Sequence, residues 1–139
     1  MANPYTQYQT MQVGSASPEK ILIMLYEGAI NFTRIAADRM RNNDIAGKGK
    51  YIGKALAIVT ELMNTLNHDV GGEIAINLER LYMYLISEFT EANLNNSAAS
   101  LENAINVLTI LKDGWNDAIL QARKERAAGQ ADTYLLAAG

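Results

Sequence analysis

His68 is the only histidine of the chain, and Cys is absent altogether. A single imidazole excludes the paired Glu-x-x-His motifs of di-iron bundles and the paired histidines of helical zinc proteases, so no metal site is expected. It leaves one reaction open, phosphotransfer through an imidazole carried on a helical bundle, with His68 as nucleophile. His68 stands beside Asp69 near an expected helix end, however, where a structural role at the terminus suits it better than an exposed mid-helix position. Gly71 and Gly72 fit neither phosphate-loop spacing, and no Gly-x-Ser-x-Gly elbow occurs, so neither nucleotide nor hydrolase chemistry is indicated. The expectation is a protein that is not an enzyme and needs no cofactor.

Composition narrows the partners. The net charge is -3, from 12 basic and 15 acidic residues, without a basic cluster able to follow a phosphate backbone, so nucleic acid is not expected. The longest nearly uncharged apolar run, Ile21 to Ile30, is interrupted by Glu27 and falls short of the roughly 20 residues that cross a bilayer. Residues 1–18 lack the basic start and apolar middle of a signal peptide. With no cysteine to oxidise, these features point to a soluble, cytoplasmic chain.

The elements that carry these residues follow from apolar spacing. Ser17 and Pro18 supply a hydroxyl N-cap and a first helical residue, after which Ile21, Leu25, Ala29, Phe32 and Ala36 mark a helix to about Asn42. Ile52, Leu56, Val59, Met63 and Leu66 mark a second, ending near His68, with an opening weakened by Gly47, Gly49 and Gly53. A third starts at about Gly72 or Glu73 with Ile74, Leu78, Leu81, Leu85, Phe89 and Ala92. After the turn Asn93–Asn96, Ser97 caps a fourth helix whose stripe is Leu101, Ala104, Ile105, Leu108, Leu111, Trp115 and Ala118. Short connections make neighbours antiparallel, so the fold expected is an all-α antiparallel four-helix bundle over residues 17–127. Residues 1–16 form a flexible N-terminal segment, and 128–139 a loosely held tail.

Two helices carry apolar residues opposite the main stripe: Ile23 and Ile30 on the first, Ile76 and Met83 on the third. Tyr51 and Ile58 widen the second stripe, and Val107 and Ile110 the fourth. Irregular packing could bury any one of these, but together they exceed what a plain bundle needs and suggest grooves for a partner helix. Tyr5, Tyr8, Met11 and Val13 give the leader enough apolar surface to fold back over such a groove. A bundle that uses the second apolar faces only to form a homodimer is the other binding alternative.

The run SASPEKILIMLYEGAI, Ser15 to Ile30, resembles the opening of the flagellin export chaperones. GGEIAINLERLYMYL, Gly71 to Leu85, is similar to the third-helix signature of that family, and LKDGW, Leu111 to Trp115, to the fourth, with Gly114 in place of an expected alanine. Tyr5, Gln7 and Tyr8 resemble the family's tyrosine-bearing leader, and the likeness spans roughly residues 3–120. It implies a cytoplasmic bundle that binds the disordered C-terminal segment of flagellin and prevents its premature polymerisation. It further implies delivery to the cytoplasmic domain of the flagellar type III export gate, with flagellar regulators as further candidate partners.

Overall fold

The structure is a computed structural model that describes residues 17–128 and Ala138. The candidate cap residues Tyr5, Tyr8, Met11 and Val13 lie outside the described residues. Four helices account for the described chain: α1, Pro18–Arg41; α2, Ile45–Asn64; α3, His68–Asn95; and α4, Ala98–Ala127. Each packs on its chain neighbour, and α4 closes on α1, so the helices form a four-sided ring in which α1–α2 and α3–α4 are opposite edges. The expected antiparallel four-helix bundle is therefore present.

Local chemistry sets the boundaries. The Ser17 hydroxyl accepts from Lys20 N–H at 3.2 Å and Pro18 occupies the first turn, while Arg39 and Arg41 face the negative end of α1. Asn43, at φ 59, reverses the chain, and Asp44 then caps α2 by accepting from Gly47 N–H at 2.9 Å. Gly47 has a specific reason to lack a side chain: its Cβ would collide with the Asp44 carboxylate that makes this cap. The glycines of early α2 thus stand within a helix from its first turn.

Helix α2 stops earlier than its apolar stripe suggests. Thr65 Oγ1 donates back to the Leu62 carbonyl at 3.0 Å, and Asn67 caps the following helix by accepting from Val70 N–H at 3.1 Å. His68 consequently opens α3 instead of closing α2. The break expected near the double glycine is nonetheless real, because Gly72 adopts φ 52, ψ -124 inside α3 and separates a single leading turn from the main helix. Asn96, left-handed at φ 55, ends α3, and Ser97 caps α4 as the sequence indicates, accepting from Ser100 N–H at 3.2 Å.

The core is a continuous apolar cluster that includes Leu25, Ala29 and Ala36 of α1, Ile52 and Val59 of α2, Leu85 and Phe89 of α3, and Leu101 and Leu108 of α4. At its centre Tyr26 and Tyr82 hydrogen-bond through their hydroxyls across the bundle, and Trp115 Nε1 donates to Tyr26 Oη at 3.1 Å. Three helices are thereby joined by polar groups that find partners inside an apolar interior. Lys48 is also buried, its Nζ donating to the Asn93 carbonyl at 3.1 Å and to Asn96 Oδ1 at 3.2 Å. It ties the start of α2 to the electron-rich end of α3.

Candidate functional site

An open apolar groove of about 470 Å³ runs between α3 and α4, lined by Ile74, Asn77, Leu78 and Leu81 on one side and Ile110, Leu111, Gly114, Trp115 and Ala118 on the other. The spacing explains its shape. Positions 74, 77, 78 and 81 occupy one face of α3, as 110, 111, 114, 115 and 118 do on α4. Where those faces meet, Leu78 and Trp115 form the buried floor and the outer residues form walls. Ile110 is 69% exposed and Leu81 38%, a costly placement for such side chains unless something covers them. At Gly114 an added Cβ would meet nothing within 4 Å, so the missing side chain keeps this stretch of the groove open.

A second, smaller groove of about 300 Å³ lies between α1 and α4, where Ile23, Ile119 and Leu120 are mixed with Glu19, Lys20 and Arg123. Its rim is bridged where Arg126 donates to Glu19 at 2.8 Å, and the guanidinium holds the Glu19 carboxyl below its ordinary range. The wall of charges makes it less suited than the α3–α4 groove to a purely apolar helix face.

The apolar residues singled out by helical angle divide into four groups. Ile110 lines the α3–α4 groove and Ile23 the α1–α4 groove. Ile76 and Met83 are exposed, at 43% and 58%, on α3 outside the groove lining, and Val107 is half-buried against the core. Tyr51 is half-buried against Phe32 of α1, with ring centroids 6.0 Å apart. Ile30 and Ile58 are corrections: at 3% and 0% exposed they belong to the core and present nothing to a partner. In a closed ring each helix meets two neighbours, so residues well away from the first stripe are buried by the second contact. The same geometry works in reverse for Ile74 and Leu81, assigned by periodicity to the core stripe but placed at the groove wall. Gly114, whose departure from alanine was visible in the sequence, is the signal that could have pointed to that wall.

His68, the one candidate nucleophile, has its Nε2 3.2 Å from a Glu79 carboxylate oxygen, both side chains being partly exposed. This pairing pins the leading turn of α3 to the main helix beyond Gly72, and His68 lines neither of the two grooves. None of the described helices is long and apolar enough to cross a membrane.

Comparison with known proteins agrees with this architecture. Residues 1–122 match the model of the family described as flagellar protein FliS. The chain is 35% identical over 124 residues to the flagellar secretion chaperone FliS of Bacillus subtilis, covering 89% of this chain and 92% of that one. It is 37% identical to the flagellar secretion chaperone FliS of Campylobacter jejuni over 113 residues, 81% of this chain and 88% of the relative. A bacterial flagellar chaperone of known crystal structure shares the fold with a TM-score of 0.71 at 20% identity, over 84% of this chain and 95% of that one. With the greater part of its length matched by the family model and by these relatives, the chain belongs to the flagellar protein FliS family of flagellar secretion chaperones.

Proposed function

We propose that this chain is a cytoplasmic export chaperone that holds the disordered C-terminal segment of flagellin as a helix in the α3–α4 groove, prevents its polymerisation and delivers it to the cytoplasmic domain of the flagellar type III export gate. The observation that carries the reading is the groove itself, an apolar trough between two parallel walls that leaves Leu81 and Ile110 exposed. A disordered segment gains helix when such a surface covers its apolar stripe, at an ordering cost of about 2 to 5 kcal/mol that the buried area must exceed. No nucleotide is required, because binding and folding of the client are one equilibrium. Ile76, Met83 and Val107 would extend contact beyond the groove, and Ile23 and Tyr51 would serve client segments that wrap onto the other edges. The leader residues Tyr5, Tyr8, Met11 and Val13 would compete with the client for apolar surface.

Isothermal titration with a flagellin C-terminal peptide, followed by circular dichroism of the mixture, tests this directly. Saturable binding near one to one, a negative heat-capacity change and added helix are expected. Replacing Leu81 or Ile110 by Asp should weaken binding by about tenfold or more, since each places a charge against a covered apolar helix. Absence of binding by the folded protein would defeat the proposal.

A further inference from the structure

On the opposite edge of the ring from the apolar groove, the seam between α1 and α2 carries a different surface. Phe32 of α1 and Tyr51 of α2 pack as a tilted aromatic pair, both half-buried. Three cations surround it. Lys54 Nζ lies 5.4 Å from the Phe32 centroid and 5.8 Å from that of Tyr51, Lys50 Nζ lies 5.6 Å from Tyr51, and the Arg39 guanidinium 6.0 Å from the same ring.

Arg39 is already compensated by Asp38 at 3.4 Å and Asp44 at 3.6 Å. Lys50 and Lys54 are different: among the described residues neither forms an ion pair. They stand four apart on one helix face, where like charges repel. Nothing on their own helix relieves this, because α2 has no acidic residue before Glu61 and none in its first turn, where the helix dipole favours one. In a chain of net charge -3, two uncompensated ammonium groups held over an aromatic pair are a local reversal of sign.

We propose that the Phe32–Tyr51 seam is a second docking surface, for a short acidic protein segment that sets two or more carboxylates against Lys50 and Lys54 and an apolar side chain against the ring pair. Charge complementarity decides the occupant. Two free cations match a peptide with a few carboxylates, whereas a polyanion such as a nucleic acid or a lipid surface would meet the repulsion of the acidic molecule beyond the patch. The rings supply what a charge pair alone lacks, an apolar contact that fixes register, and the ammonium groups stay solvated enough to exchange aromatic contact for carboxylate without leaving their positions. Because α1–α2 and α3–α4 are opposite edges, this segment would leave a client helix in the apolar groove undisturbed and would compete only with client segments that wrap onto Tyr51.

The probe is the capped peptide acetyl-Glu-Asp-Phe-Glu-Asp-amide, titrated into the full chain at low ionic strength. Saturable one-to-one binding is expected, weakening by about tenfold between 0.05 and 0.5 M salt as screening sets in. Lys50→Glu combined with Lys54→Glu should weaken it by at least about tenfold, and the capped peptide Gln-Asn-Phe-Gln-Asn should not bind measurably. Gly114→Leu, on the opposite edge, should leave the affinity within about twofold. If circular dichroism shows the double Glu variant unfolded, Lys50→Ala with Lys54→Ala replaces it, with a loss of about fivefold expected. Absence of saturable binding, an affinity indifferent to the lysine substitutions, an equal loss in Gly114→Leu, or tighter binding of a phosphatidylglycerol vesicle or an oligothymidylate at matched charge would each overturn the assignment.

Discussion

The Tyr26 hydroxyl sits between two partners, accepting from Trp115 and hydrogen-bonded to the Tyr82 hydroxyl. Its removal strands two buried polar groups, while removal of the Tyr82 hydroxyl strands one. Tyr26→Phe should therefore cost about 2 to 4 kcal/mol and Tyr82→Phe about 1 to 2 kcal/mol, read from urea denaturation midpoints at constant slope. The pair also sets a pH limit. Burial pushes the Tyr82 hydroxyl from its ordinary value of 10.0 up to about 12, and burial beside Tyr82 pushes Tyr26 up as well. Above pH 10 the unfolded chain has lost these protons and the folded one keeps them, so the stabilisation is complete below pH 10 and declines as pH rises toward 12. The decline is up to about 1.4 kcal/mol per pH unit for each tyrosine, and Tyr82→Phe should show a shallower fall than the parent protein between pH 10 and 11.5. Neither tyrosine belongs to the stripe that spacing assigns to the core, although Trp115 does. Periodicity finds the residues facing one neighbour; a hydroxyl that crosses the bundle to a diagonal helix has no periodic signature.

Among the elements, starts and stops were the most legible part. Ser17-Pro18 and Ser97 stand where hydroxyl caps are expected, and each serine accepts from a backbone N–H three residues on. Asn67 was missed as a cap because the apolar run through Leu66 reads as a continuing helix, and only Thr65 and Asn67 reveal the stop. Which apolar face was groove and which was core was not legible, since Leu78 and Leu81, one turn apart, are chemically identical. Gly114 offers the cleanest test at this scale. Leucine there gains roughly 0.8 kcal/mol of helix propensity over glycine and projects into space where a Cβ meets nothing within 4 Å. Gly114→Leu should thus be at least as stable as the parent yet bind flagellin peptide about tenfold or more weakly, by filling the groove. Gly72→Ala has the opposite character: at φ 52 it forces a side chain into left-handed backbone and should cost about 1 kcal/mol, leaving the groove contacts in place.

At the level of the whole molecule, a ring of four helices satisfies its core but leaves the α3–α4 edge with apolar walls that no further helix among the described residues covers. If the client supplies that missing helix, its binding and the stability of the bundle are linked. A ligand that binds only the folded state at about 100 times its dissociation constant raises the unfolding free energy by about 2.7 kcal/mol. Flagellin C-terminal peptide should produce a shift of this size in urea denaturation, and Leu81→Asp or Ile110→Asp should reduce it when measured at the same peptide concentration. Ile23→Asp separates the two grooves, because that residue lines only the α1–α4 trough. A shift preserved in Ile23→Asp and diminished in Leu81→Asp places the client helix between α3 and α4. The reverse result would move it to the smaller groove, where Glu19, Lys20 and Arg123 would then have to pair with client charges, and its salt dependence would be correspondingly steep.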